Sequence, residues 1–81
     1  MPLHECDLWA NGRWNLIGID VGCNMPTDRR MRCPECHGRV RPHKRGKNGE
    51  AAHFEHAERS PGCTLGDWFD GTRRLHRKPL E

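Results

Sequence analysis

"MRCPECHGRVRPHKRGKNGEAAHFEHAERSPGC", residues 31–63, packs three cysteines and four histidines into one basic stretch. Little elsewhere in the chain would hold such a segment in shape. Of 81 residues, only 33% are hydrophobic and none is tyrosine. In a chain of this size, apolar burial supplies no more than ~3–5 kcal/mol, so a disulfide, a metal or a partner is needed as a staple. Cys33, Cys36, His53, His56 and Cys63 are the side chains that can provide one.

Cys33-Pro34-Glu35-Cys36 is a metal knuckle. Two thiolates separated by two residues can face one ion while the backbone turns tightly around it, and Gly38 lets the chain leave that turn. Zinc takes four tetrahedral ligands from cysteine sulfur and histidine nitrogen. One knuckle supplies two, so the second pair comes from His53, His56 and Cys63 in one of three combinations. If Ala51 to Phe54 is extended, His53 and His56 project to opposite faces, because strand side chains alternate. His56 sits where that strand should end, and Ser60-Pro61-Gly62 turns the chain just before Cys63. This favours Cys33, Cys36, His56 and Cys63, with His53 as the alternative ligand beside the site. Three thiolates and a neutral imidazole leave Zn²⁺ with a net −1 charge and no open position. That is a structural ion rather than a Lewis acid. A redox Cys-x-x-Cys pair would need a surrounding βαβ unit, which this chain is too short to hold.

Outward from this stretch, the reading is a small α+β metal-stabilised domain: β-hairpins like those of zinc ribbons, with a short C-terminal helix. A single domain covers residues 1–76. Its first hairpin, residues 7–21, turns at Asn11-Gly12, which supplies the positive φ angles of a tight two-residue turn. The metal-binding hairpin occupies residues 31–63. Arg39, Val40, Arg41, Pro42 and His43 form its outgoing strand, an edge at Pro42, which has no N–H to give. Glu50 to Phe54 form the return. A helix is predicted over residues 64–75, because Thr64 and Asp67 have capping-box spacing and Leu65, Trp68, Phe69, Thr72 and Leu75 recur at helical intervals. Residues 77–81 read as a disordered tail. Trp9, Trp14 and Trp68 are expected in the core for want of other large apolar residues. If exposed, they would offer faces for base stacking.

The net charge of +3 is mild, but its distribution is not. Arg39, Arg41, Lys44, Arg45 and Lys47 fall in one run with no acid among them, and Arg73, Arg74, Arg77 and Lys78 form a second cluster. Such patches fit nucleic acid or another polyanion. Met1-Pro2-Leu3-His4-Glu5 has neither the basic start nor the apolar run of a signal peptide, so a cytoplasmic protein with reduced thiols is expected. No apolar stretch approaches membrane-spanning length.

Arg32-Cys33-Pro34-Glu35-Cys36, Gly38-Arg39-Val40, His53-Phe54-Glu55-His56 and Cys63 together resemble the N-terminal zinc-ribbon-like domain of the competence protein CoiA family. The likeness runs from about Leu8 to Cys63. The second half also resembles the zinc ribbons of bacterial type IA topoisomerases. That likeness implies Phe54 as the strand phenylalanine, His56 as third ligand and Cys63 as fourth. CoiA-type proteins carry a nuclease domain after the ribbon, which these 81 residues do not contain. The resemblance therefore implies association with DNA processing and carries over no catalytic activity.

The expected function is a non-catalytic module, stabilised by structural zinc, that binds nucleic acid, DNA foremost, through Arg39, Arg41, Lys44, Arg45 and Lys47. An adaptor that docks an acidic protein partner, such as a nuclease or polymerase, is the alternative reading. A metal-dependent hydrolase is the remote one: Glu55 and Glu58 could serve as bases there, and His4, Cys6 and Cys23 as a second metal site. Neither a membrane nor a small-molecule substrate is expected as a partner.

Overall fold

Asn11 and Gly12 take φ angles of 55° and 76°, and this left-handed pair closes the first hairpin. The computed structural model describes residues 3–26, 29–46, 49, 51–66 and 69–80. Strand β1 (Glu5–Ala10) pairs antiparallel with β2 (Arg13–Gly18), with Trp9 opposite Trp14. A short β3 (Met31–Arg32) covers the other edge of β1, giving the order β2-β1-β3. Strands β4 (Val40–His43) and β5 (His53–His56) form a separate two-stranded sheet. Bridges between Leu3 and Phe54 and between Arg32 and Arg39 link the two sheets.

Alternation decides which faces meet. Cys6 and Leu8 of β1 point inward with Met31 of β3, and Val40 and Phe54 answer them from the second sheet. All are buried, and Leu3 closes the cluster. Burial pushes the Cys6 thiol up to about 12, with the Asp7 charge adding to the effect, so this cysteine acts as a small apolar side chain. One helix is found among the described residues: α1 (Ile19–Cys23), between the hairpin and the connector. Gly22 lies against the Phe54 ring, where a Cβ would come within 2.5 Å of a ring carbon. Among the described residues, no helix is long and apolar enough to cross a membrane.

Five expectations need correction. The first hairpin stops at Gly18 rather than Val21, because α1 begins at Ile19. The return strand is His53–His56, not Glu50–Phe54.

The helix predicted over residues 64–75 is absent among the described residues, with Asp67 and Trp68 lying outside them. Its would-be cap is spent elsewhere: the Thr64 hydroxyl donates to Glu35 Oε1 at 2.6 Å, and the Thr64 N–H to Oε2 of the same carboxylate. Backbone donors that a helix would use internally go to the preceding loop instead. The Asp70 N–H reaches the Pro61 carbonyl (2.9 Å), and the Arg74 N–H the Gly62 carbonyl (3.0 Å). Gly71, at φ 103°, is incompatible with helix.

Residues 77–80, expected as a disordered tail, lie against the knuckle. The Leu80 N–H donates to the His37 carbonyl (2.8 Å), and the Leu80 carbonyl accepts from Arg32 (2.9 Å). Glu81 lies outside the described residues.

The tryptophans also differ from expectation. Trp9 and Trp14 are half-buried on the outer face of the first sheet, edge to face at 5.3 Å, rather than in the core. The Arg32 guanidinium covers Trp14 at 4.1 Å, held there by Asp7 at 3.0 Å. Leu8, Met31 and Phe54 already fill the space between the sheets, and the cations over the rings supply the contact that the core does not.

Candidate metal centre and the basic groove

Two loops and one strand end converge on a single point. Cys33 follows β3, and its N–H accepts the chain back from Gly38 by donating to the Gly38 carbonyl (2.8 Å). The His37 N–H donates to the Cys33 carbonyl (2.9 Å), closing the turn. His37 holds φ 63°, the left-handed position at which such a turn must reverse. The Gly38 N–H then points at Cys36 Sγ (3.4 Å). His56 is the last residue of β5, on the same inward parity as Phe54. Cys63 is delivered by a turn in which its N–H donates to the Ser60 carbonyl (3.0 Å).

One ligand atom from each of Cys33, Cys36, His56 and Cys63 lies within 4.8 Å of every other. Cys33 Sγ and Cys63 Sγ are 3.5 Å apart, and Cys36 Sγ and His56 Nε2 are also 3.5 Å apart. Tetrahedral zinc with bonds of ~2.3 Å to sulfur and ~2.0–2.1 Å to nitrogen would set such pairs ~3.5–3.8 Å apart. The donor set therefore fits a metal ion. All three sulfurs are fully buried, which leaves water no direct approach to the cluster from the cysteine side.

The electrostatics agree. The Cys33 thiol bonded to Cys36 is the largest influence holding Cys36 down at about 3. Burial opposes it, and His56, Ser60 and the Gly38 N–H assist. The buried Ser60 hydroxyl has no oxygen or nitrogen partner among the described residues and leans on this sulfur. Cys33 is pushed up, first by that same bond to Cys36 and then by burial. Burial pushes Cys63 up to about 11. Negative charge in the cluster is thus favoured first at Cys36, and a cation would draw the protons from Cys33 and Cys63 as well.

His53, the alternative ligand, is not in the cluster. It sits on the opposite face of β5, stacked on His43 with ring centroids 5.6 Å apart. Its nitrogens lie 2.8 Å from the Ala51 carbonyl and 3.1 Å from Glu55. His4, Cys6 and Cys23 do not converge either: the metal-capable cluster found among the described residues contains none of them.

Two supports of the site carry no sequence motif. Glu35, between the knuckle cysteines, ties the Cys63 loop to the knuckle through Thr64. Burial works against its charge, but the bonds from Thr64 and Cys63 and the Arg73 cation outweigh it and hold its carboxyl below the usual range. The second support is the strap of residues 74–80. The His76 N–H donates to the Cys36 carbonyl (2.8 Å), and Arg74 passes directly over Gly62. A Cβ at Gly62 would come within 2.7 Å of the Arg74 carbonyl oxygen, so only glycine lets the strap lie down.

The basic residues separate into two groups. Arg39, Arg41 and Lys44 rim a groove of about 720 Å³ between β4 and the segment after α1. Arg29 joins them from the connector, where it opens the short basic run Arg29-Arg30-Met31-Arg32. Arg45 follows β4 and is exposed, while Lys47 lies outside the described residues. In the C-terminal cluster, by contrast, Arg73 meets Glu35 (3.5 Å), Arg74 meets Asp70 (2.9 Å) and Lys78 meets Glu58 (3.9 Å).

A family model without a functional description matches residues 1–81. An uncharacterised protein of Azorhizobium caulinodans is 42% identical over 84 residues, an alignment that covers the whole of both chains. No solved structure matches. With a full-length family match and a full-length relative at this identity, the chain belongs to the same family as that Azorhizobium protein.

Proposed function

We propose that the chain is a nucleic-acid-binding module, DNA foremost, whose fold is held by one structural zinc ion and which has no catalytic step of its own. The soft set of three thiolates and one imidazole supports zinc, and four protein ligands around one ion leave no position for a reacting water. The observation that carries the nucleic-acid reading is the groove. Arg29, Arg39 and Lys44 make no ion pair among the described residues, and Arg41 has only Glu55 opposite it in register. One acid, Glu58, also lines this concavity, but it meets Lys78 (3.9 Å), and cations that outnumber the acid in this way suit a phosphate backbone. The resemblance to the ribbon domain of the CoiA family points the same way.

Two measurements test this reading. Metal analysis of the purified chain should give one zinc per molecule. A mixed-sequence oligonucleotide should bind at low salt, with log affinity falling linearly as log salt rises, at a slope set by about three to four phosphates. Absence of binding at low ionic strength, or binding indifferent to salt, would refute it.

A further inference from the structure

The phosphate-binding cations do not explain what lies between them. Between the cations the groove is lined by Met25, Pro26 and Pro42, backed by the buried side chains of Met31 and Val40, with Cys23 and Glu58 also in the lining. A surface that only gripped a duplex backbone would have no use for a sunken apolar floor, because the bases of a duplex are stacked away from it. An unpaired strand differs, since its bases can turn outward and lay their faces on apolar or aromatic side chains. Methionine sulfur adds a polarisable contact to such a ring.

The groove also continues. A shallower hollow lined by Trp9, Pro26, Arg29 and Arg30 shares Pro26 and Arg29 with it. The Arg30 guanidinium stands 6.0 Å from the Trp9 ring centre and 5.7 Å from that of Trp14. One track therefore runs from Trp9 through Arg29 to the apolar lining and out between Arg41 and Lys44. Aromatic and apolar surface alternates along it with cations, at both ends and in the middle. This is the layout of a single-strand binding path, in which cations follow the backbone and flat or soft side chains take successive bases.

We infer that this track binds single-stranded nucleic acid, with one base seated on the apolar lining at Met25 and Pro42 and another against Trp9. The inference rests on the nucleic-acid reading above and adds which form of nucleic acid is taken and what holds its bases. An acidic peptide would satisfy the cations but leave the apolar lining and the Trp9 face without a ring to cover them.

The experiment uses the full, metal-loaded chain and fluorescence anisotropy at one fixed low salt. The probes are a labelled mixed-sequence single strand, the same length of abasic strand and a hairpin duplex. The base-bearing strand should bind at least tenfold more tightly than either of the others, and Trp9→Ala should remove about tenfold from the base-bearing strand while leaving the abasic strand unchanged. A second readout needs no variant: the base-bearing strand should slow alkylation of Cys23 by a maleimide at least fivefold, and the abasic strand should not. Equal affinity for abasic and base-bearing strands, or a preference for duplex, would overturn the inference while leaving the phosphate-binding reading intact. Displacement of the strand by polyglutamate at a lower charge concentration than by unlabelled strand would overturn it in favour of an acidic protein partner. Failure of every nucleic-acid probe to bind would overturn both.

Discussion

The two basic clusters look alike in the sequence and do different work in the fold. Around the groove, Arg29, Arg39 and Lys44 have no acid within ion-pair reach among the described residues. At the C-terminus, Arg73, Arg74 and Lys78 each meet a carboxylate, and the backbone between them straps the knuckle and the Cys63 loop together. Equal charge density thus meets two fates: one cluster is left without ion pairs among the described residues, and the other is spent on closing the domain. What separates them is the position of Glu35, Glu58 and Asp70. Each comes within reach only after folding, and two of the three lie far from their partners in the chain.

The most drastic way to break this comparison is to remove what holds both clusters. Strand β4 leaves the Cys33–Cys36 knuckle and the strap lies on it, so both clusters hang on the metal centre. Structural zinc contributes apparent binding energies of ~10–16 kcal/mol in small zinc-dependent domains, more than an apolar core of this size supplies. A strong chelator with reductant at pH 8 should abolish the β signal in circular dichroism and disperse both clusters together. What remains, the β1–β2 hairpin, is too small to stand alone. Retention of an ordered amide spectrum in the metal-free chain would show that the apolar core suffices.

The pH dependence follows from the thiols. Cys36 is held down while Cys33 and Cys63 are raised, so loading the ion near pH 8 should release two protons, from Cys33 and Cys63. Apparent affinity should then rise about 100-fold per pH unit and fall by the same factor on acidification. Calorimetry in buffers of different ionisation enthalpy counts the protons directly; a count of zero or three would contradict this charge distribution.

Gly62→Ala attacks the closed cluster alone. The new Cβ would collide with the Arg74 side chain and backbone, and overpacking against backbone costs about 3 kcal/mol. The strap should lift. Amide exchange should quicken at Arg74, His76 and Leu80 and the melting temperature should drop, while affinity for an oligonucleotide stays within a factor of three. A matching loss of affinity would mean that the strap also shapes the groove.

Charge reversal tests the open cluster in the complementary sense. Arg39→Glu with Arg41→Glu should reduce oligonucleotide affinity about 100-fold, or about 2.8 kcal/mol, at low salt with little change in melting temperature. Arg73→Glu with Arg74→Glu should do the reverse, lowering the melting temperature and sparing affinity. If both pairs lowered affinity equally, the clusters would form one binding surface and the contrast drawn from their ion pairs would fail.

How far the sequence reveals this arrangement depends on whether the signal is local. Asn11-Gly12 announces a tight turn, because few other residues take two consecutive positive φ angles. Cys33-x-x-Cys36 announces a knuckle, and strand alternation separates His56 from His53, which the structure places on opposite faces of β5. The helix predicted over residues 64–75 shows where local reading fails. Its apolar spacing and Thr64–Asp67 box are real patterns, but Glu35 takes both donors of Thr64 from 29 positions upstream. The strap was illegible for a related reason: it is held through main-chain N–H groups reaching the Cys36, His37 and Gly62 carbonyls, which every residue possesses. Arg29 belongs to the basic run Arg29-Arg30-Met31-Arg32, but nothing local tells that it joins the groove, because only the folded chain brings it beside β4. Gly62 was the one available hint, since a glycine beside a ligand marks a place where backbone approaches closely.

The smallest effect expected is the most specific. Glu35→Gln removes the charge that accepts from Thr64 and faces Arg73, yet keeps the shape. A half-buried carboxylate replaced by an amide must turn an NH₂ toward one of the Thr64 donors, which should cost about 1–2 kcal/mol. Arg73 is largely exposed, so its 3.5 Å pair with Glu35 adds less than ~1 kcal/mol to that figure, and Arg73→Ala alone should barely register. The sign of the pH dependence is fixed by the direction of the Glu35 shift. Its carboxyl is lowered in the folded chain, so the stability it adds is present above its ordinary value of 4.5 and is lost as pH falls through the folded value. The ion and the fold are lost together in acid, so the comparison is made where both chains still hold the ion. The gap in melting temperature between the native chain and Glu35→Gln should be constant from pH 8 down to about 5.5, still above the ordinary carboxyl value. A gap that instead widened as pH fell over that range would mean that Glu35 is held protonated, and that the Thr64 latch is not the contact joining the knuckle to the Cys63 loop.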